Sequence, residues 1–109
     1  MVGESIKKAK TEGVEICIVI GGGNFYRGVS NTNKAVSRPI ADQAGMLATV
    51  INALFLKSTL NSKGIEAEIL SGLSVPQIAE TYSYRTAQDM LARGVVVIFA
   101  GGTGNPYFT

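Results

Sequence analysis

The chain has 109 residues, 46% hydrophobic and 17% charged, with a formal net charge of +2. It holds enough Val, Ile, Leu and Ala for a core, which excludes a disordered chain, and its field is too weak for a nucleic-acid or polybasic membrane protein. With no His and one Cys, Cys17, it has no imidazole base, no His-ligated metal, no internal disulfide and no paired-cysteine metal clamp.

The elements follow in chain order. Residues 1–12 place Val2, Ile6 and Ala9 at near-helical spacing, and Gly13 ends the pattern. This Lys-bearing stretch has no apolar core of the kind a secretory leader carries. Val14 to Ile20 is β-branched and apolar, which predicts a buried strand with Cys17 as a small core residue. Glycines 21–23 break it at once. Residues 29–38 are polar and irregular, a loop. Ser37 suits a helix cap and Pro39 a first helical turn, and that helix runs to about Leu60. Ile65 to Leu70 reads as a second strand. Ser74-Val75-Pro76 starts a short helix holding Ile78 and Ala79. Ser83 begins another, with Ala87, Met90 and Leu91 on one face and Gly94 beyond its end. Val95 to Ala100 is a third strand, followed by Gly101 to Pro106.

Uninterrupted apolar strands alternating with helices predict a parallel sheet covered on both faces. Three strands are few, since about five or six is usual. The chain also begins in a helical pattern and ends directly after a loop. The expectation is one domain over residues 1–109 that is part of a larger unit, truncated at both ends. The helix from Pro39 is apolar almost all round, from Ile40, Ala44, Met46 and Leu47 to Leu54, Phe55 and Leu56. A helix on one sheet face needs only one apolar stripe, so a second buried face is expected, against further chain or another subunit. No apolar run approaches the roughly 20 residues of a membrane span, because Thr49 and Asn52 interrupt the longest. The single cysteine fits a reducing cytoplasm.

Both glycine clusters follow a strand, where parallel sheets bind ligands and where loop and helix N–H groups point at anions. In the first, Gly21 to Gly28, Tyr26 stands where a dinucleotide fingerprint needs its third glycine. Gly23 and Gly28 have the P-loop spacing, but Val29 replaces its Lys. Arg27 stands close enough to give bidentate bonds to a phosphate held on that loop; it suits a solvated turn equally. In the second, Thr103 and Asn105 both donate and accept hydrogen bonds, as reading a nucleobase edge requires, and Tyr107-Phe108 suits packing on a base or ribose. An ordinary turn with two core aromatics is the other reading. Asp42 sits in the first turn after Pro39. There it serves either the helix dipole, worth about 0.3–1 kcal/mol, or sugar hydroxyls as an acceptor.

Three blocks carry a resemblance over the whole length: GGGNFYRG at 21–28, DQAGMLATVINAL at 42–54 and AGGTGNPYFT at 100–109. They resemble the bacterial uridylate kinases of the amino-acid kinase family. The third block is the most specific, since glutamate kinases and aspartokinases lack its Thr-Gly-Asn-Pro-aromatic-Phe-Thr string. The resemblance implies a three-layer αβα sandwich, incomplete in this chain, and transfer of the γ-phosphoryl of ATP, with Mg2+, to UMP for pyrimidine nucleotide synthesis in the cytoplasm. It implies that Gly22 contacts UMP, that Gly23 and Arg27 lie around the phosphates, with Arg27 catalytic, and that Asp42 accepts from the ribose hydroxyls. Thr103, Gly104, Asn105, Pro106, Tyr107, Phe108 and Thr109 would form the uridylate loop. It further implies a homohexamer built from dimers, with a dimer contact through the helix near residues 39–60.

The family's upstream strand, with its Lys on the ATP phosphates, has no counterpart before Met1, and its ATP-binding half would follow Thr109. The segment alone is therefore expected to be inactive and poorly soluble. Two other readings stand beside this one. Another amino-acid kinase would act on a carboxylate or carbamate, and a non-catalytic module would bind a nucleotide or assemble with other chains.

Overall fold

In the computed structural model, which describes residues 2–21 and 37–102, helices and strands alternate. Helix α1 spans Val2–Thr11, β1 Cys17–Val19, α2 Arg38–Ser62, β2 Ala67–Ser71, β3 Glu80–Thr81, α3 Tyr84–Ala92 and β4 Val96–Ala100. The helix starts follow from side-chain chemistry. Ser37 Oγ accepts the Ile40 N–H at 3.4 Å, and Pro39 lies in the first turn of α2. Ser83 Oγ accepts the Thr86 N–H at 3.1 Å at the head of α3. Each serine satisfies an N–H that the helix itself leaves open. Gly13 and Gly94, each at φ 82°, turn the chain out of α1 and α3.

The four strands pair in the order β1-β4-β2-β3, and every pair is parallel. Cys17 pairs with Val97, Ala67 with Val96 and Leu70 with Glu80. On one face, Ile6 of α1 and Val50, Ala53 and Leu60 of α2 pack on Ala67, Ile69, Val96 and Ile98. On the other, Ala87 and Met90 of α3 pack on Leu70, Val97 and Phe99. This is the αβα layering expected of alternating apolar strands. β4 is buried at all five positions, being flanked by β1 and β2 and covered on both sides. The ring of Tyr82 meets that of Phe99 edge-on at 5.8 Å between centroids.

Three expectations need correction. Cys17 is exposed, not part of the core. It lies on the edge strand, where Ile16, Ile18 and Ile20 pack against the α2 side while the alternating Cys17 and Val19 stay exposed. The proposed helix at 74–79 is only a turn: the N–H groups of Ile78 and Ala79 both donate to the Val75 carbonyl, at 2.9 and 3.0 Å. One turn does not cover the cost of helix nucleation, and the chain instead pairs Glu80 and Thr81 with the end of β2, a fourth strand absent from the sequence reading. Third, α2 has the length and hydropathy of a membrane-crossing helix, 25 residues with a mean of 1.3 over its most apolar window. One face of it, through Ala41, Gly45, Thr49, Val50, Ala53 and Leu60, is buried on the sheet. Its other face leaves Ile40, Leu47, Ile51, Leu54 and Phe55 exposed.

Candidate functional site

The parallel order brings the starts of both glycine clusters to one edge. The Ile20 N–H donates to the Phe99 carbonyl at 3.0 Å, and the Gly72 N–H to the Ala100 carbonyl at 3.0 Å. The carboxyl ends of β1, β4 and β2 therefore lie side by side, leading into Gly21, Gly101 and Gly72. Parallel sheets place their ligands at this edge.

Gly101 is the most constrained point there. Its φ is 78°, and a Cβ would meet Ser71 Oγ, the Leu73 backbone nitrogen at 2.9 Å and Leu73 Cβ at 3.2 Å. Only glycine combines this left-handed backbone with so close an approach. Ser71 has no solvent exposure, and its hydroxyl donates to the Leu73 carbonyl at 2.6 Å and accepts the Leu73 N–H at 3.0 Å. That pair of bonds closes the turn after β2 on itself, and the Gly72 N–H bond to the Ala100 carbonyl joins it to the end of β4.

The third side comes from α2. Thr49 Oγ1 donates to the Met46 carbonyl at 2.6 Å and accepts the Gly101 N–H at 2.7 Å. Gly102 follows at φ 56°, where a Cβ would stand 3.0 Å from Met46 Sδ. Thr49 and Ser71 are the buried polar residues of the described chain. Among the described residues no buried side-chain polar atom lacks a hydrogen-bond partner.

Asp42 is exposed in the first turns of α2. Asp42, Met46 and Thr49 follow at i, i+4 and i+7, so they share one helix face. At 1.5 Å per residue, Asp42 stands about 10 Å along the axis from the Thr49–Gly101 bond. An acid and a glycine turn are thus borne by two elements tied by one hydroxyl. Gly22, Gly23, Arg27 and Thr103 through Thr109 lie outside the described residues. Sequence reasoning treated Thr49 only as a break in an apolar window and did not single out Ser71 or Met46. The available signal was a hydroxyl at a core-facing position between Met46 and Val50.

Elsewhere, Lys57, Glu68, Pro76, Gln77 and Glu80 line an open cleft of about 530 Å3. Lys57 Nζ meets Glu68 Oε1 there at 2.9 Å. None of the sequence-predicted site residues lines it. Among the described residues no group of three or more His, Cys, Asp and Glu is placed to hold a metal ion.

Residues 2–107 match the amino acid kinase family. The chain is 48% identical over 108 residues to the uridylate kinase of Brucella anthropi, covering 99% of this chain and 45% of that protein. It is 49% identical over 108 residues to the uridylate kinase of Agrobacterium fabrum, with the same coverage. Among solved structures, the UMP kinase of Ureaplasma parvum superposes with a TM-score of 0.83 at 34% identity, covering 99% of this chain and 47% of that one. The UMP kinase of Bacillus anthracis gives 0.83 at 36% identity, covering 97% and 44%. The chain spans less than half the length of these relatives.

Proposed function

This chain belongs to the amino acid kinase family, and from that premise we propose that it is the acceptor-binding part of a UMP kinase, which moves the γ-phosphoryl of ATP to UMP and yields UDP. The observation that carries the reading is the 48% identity to a uridylate kinase across 99% of the chain. The start of both glycine runs at one carboxyl edge of the sheet supports it physically, because parallel sheets hold their ligands at that edge.

The assigned roles follow the motif blocks. Gly22 contacts UMP. Gly23 and Arg27 lie around the phosphates at the point of transfer, where the guanidinium spreads its charge over equatorial oxygens. Asp42 accepts from the ribose hydroxyls. Thr103 and Asn105 read the uracil edge, within a loop of Gly104, Pro106, Tyr107, Phe108 and Thr109. The acceptor phosphate is itself a competent nucleophile, so the transfer does not call for an imidazole base from this chain. Magnesium arrives with ATP as part of that substrate, and no described residue is assigned to it.

The exposed face of α2, with Ile40, Leu47, Ile51 and Phe55, suits a contact between two copies of the protein and, beyond it, a hexamer. Such an enzyme serves pyrimidine nucleotide synthesis in the cytoplasm.

The test is ADP release by the whole protein that carries this chain, with UMP, CMP and dUMP as acceptors. UMP is expected to be preferred by a wide margin. Equal rates on CMP remove the assignment. Turnover with glutamate, aspartate or carbamate in place of UMP supports another branch of the family.

A further inference from the structure

We propose that Thr49 is a positioning residue for the acceptor, setting through one hydrogen bond the direction in which the chain leaves β4 at Gly101 and Gly102. The inference rests on the reading of this segment as the UMP-binding part.

Three observations carry it. First, the bond joins residues 52 positions apart and is buried, with Thr49 5% exposed. Second, the hydroxyl has one geometry available. Its proton goes to the Met46 carbonyl at 2.6 Å, which fixes the rotamer and leaves a lone pair for the Gly101 N–H at 2.7 Å. A threonine hydroxyl that only satisfies its own helix ends at the first bond, as Thr11 does on Lys7 and Thr59 on Phe55. Third, the amide it holds belongs to the residue that turns the chain off the strand, at φ 78°.

The consequence is specific. Gly101 has its α-carbon fenced by Ser71 and Leu73 and its amide held by Thr49, so its orientation is fixed from two elements. Gly102 continues over Met46, one helical turn before Thr49. Asp42 lies on the same face of α2. The hydroxyl therefore sets the register between the acid on the helix, assigned to ribose, and the Gly101-Gly102 turn that leaves β4.

Thr49→Val keeps the shape and removes the acceptor, leaving the Gly101 N–H without its partner. In the whole protein, the KM for UMP is expected to rise about tenfold, the factor that one such bond carries. The KM for ATP is expected to stay within about twofold. Thr49→Ser restores the hydroxyl and is expected to return the KM for UMP to within about twofold of wild type. A purely structural role predicts instead a lower apparent kcat and melting temperature with an unchanged KM for UMP, and that result overturns the proposal.

If T49V is not recovered folded, amide hydrogen exchange on the wild-type protein decides. Gly101 is expected to be as protected as Ala100 and to slow at least about tenfold further with UMP bound. An amide that exchanges like an open loop, or whose protection ignores UMP, overturns the proposal. A wild-type protein that does not phosphorylate UMP removes the functional reading and this inference together. An active wild type with an unchanged T49V removes only the inference.

Discussion

The amide of Ile20, one residue beyond the end of β1, donates to the carbonyl of Phe99 in β4 at 3.0 Å. Two glycine motifs separated by most of the chain thereby start from adjacent points. Neither cluster alone matches a common nucleotide motif, since one lacks the P-loop lysine and the other follows no standard spacing. Their meaning comes from adjacency, which a parallel sheet supplies at its carboxyl edge.

The two glycines after β4 respond differently to alanine. At Gly101 the added methyl meets Ser71 Oγ and the Leu73 backbone, and backbone does not step aside. Together with the left-handed φ, Gly101→Ala is expected to cost roughly 2–4 kcal/mol in a urea denaturation series. At Gly102 the nearest atoms are Sδ and Cγ of the flexible Met46 side chain, at 3.0 and 3.1 Å. Gly102→Ala is expected to cost about 1–2 kcal/mol, mostly for the left-handed backbone. Equal losses contradict the account of Gly101.

Asp42 tests the ribose assignment. It is exposed and carries little of the fold. Asp42→Asn is expected to change stability by less than about 1 kcal/mol, the size of a helix-dipole term. The KM for UMP is expected to rise about tenfold while the KM for ATP holds. A stability loss without any KM change returns Asp42 to the dipole role.

The outer face of α2 tests assembly. Phe55 is 70% exposed and Ile51 52%. Phe55→Glu is expected to leave the fold intact, since no core contact is lost, and to shift the whole protein toward smaller species in sedimentation velocity. An unchanged distribution places the copy-to-copy contact elsewhere.

Cys17 gives a pH dependence. Partial burial of the thiol, and then the charge of Glu15, push its pKa above the ordinary value. The folded state therefore favours the neutral thiol, and the stability tied to this is full below the ordinary thiol pKa and lost as pH rises through the raised one. Alkylation of the folded protein by iodoacetamide is expected to be slower than that of a free cysteine near neutral pH. It is expected to accelerate above the ordinary thiol range and to be faster in Glu15→Gln. A rate equal to that of a free thiol at every pH refutes the shift.

Local chemistry was legible from the residues alone. Ser37 with Pro39, Ser83, Gly13 and Gly94 mark helix ends through their own side chains or their lack of one. The apolar run at 95–100 is buried throughout, as continuous apolarity predicts. Cys17 was misread because its run looks the same as that of β4, while its exposure depends on standing at the sheet edge, a fact about strand order. Glu80 and Thr81 have no apolar pattern and pair only because the turn at 76–78 delivers them beside Leu70 and Ser71. Thr49 escaped notice for a related reason, since its partner lies 52 residues away. At the candidate site, Asp42 and the glycine turns were legible as residue types, and the hydroxyl that ties them was not.

The strand order also makes β4 the seam of the sheet. β4 pairs with both β1 and β2, which do not pair with each other, and Cys17 pairs with Val97. Without residues 96–100, nothing among the described strands joins β1 to the β2–β3 pair. The pairing of β4 joins strands far apart in sequence, a topology that folds slowly, and a chain cut before β4 loses the Phe99 and Ala100 carbonyls that align Ile20 and Gly72.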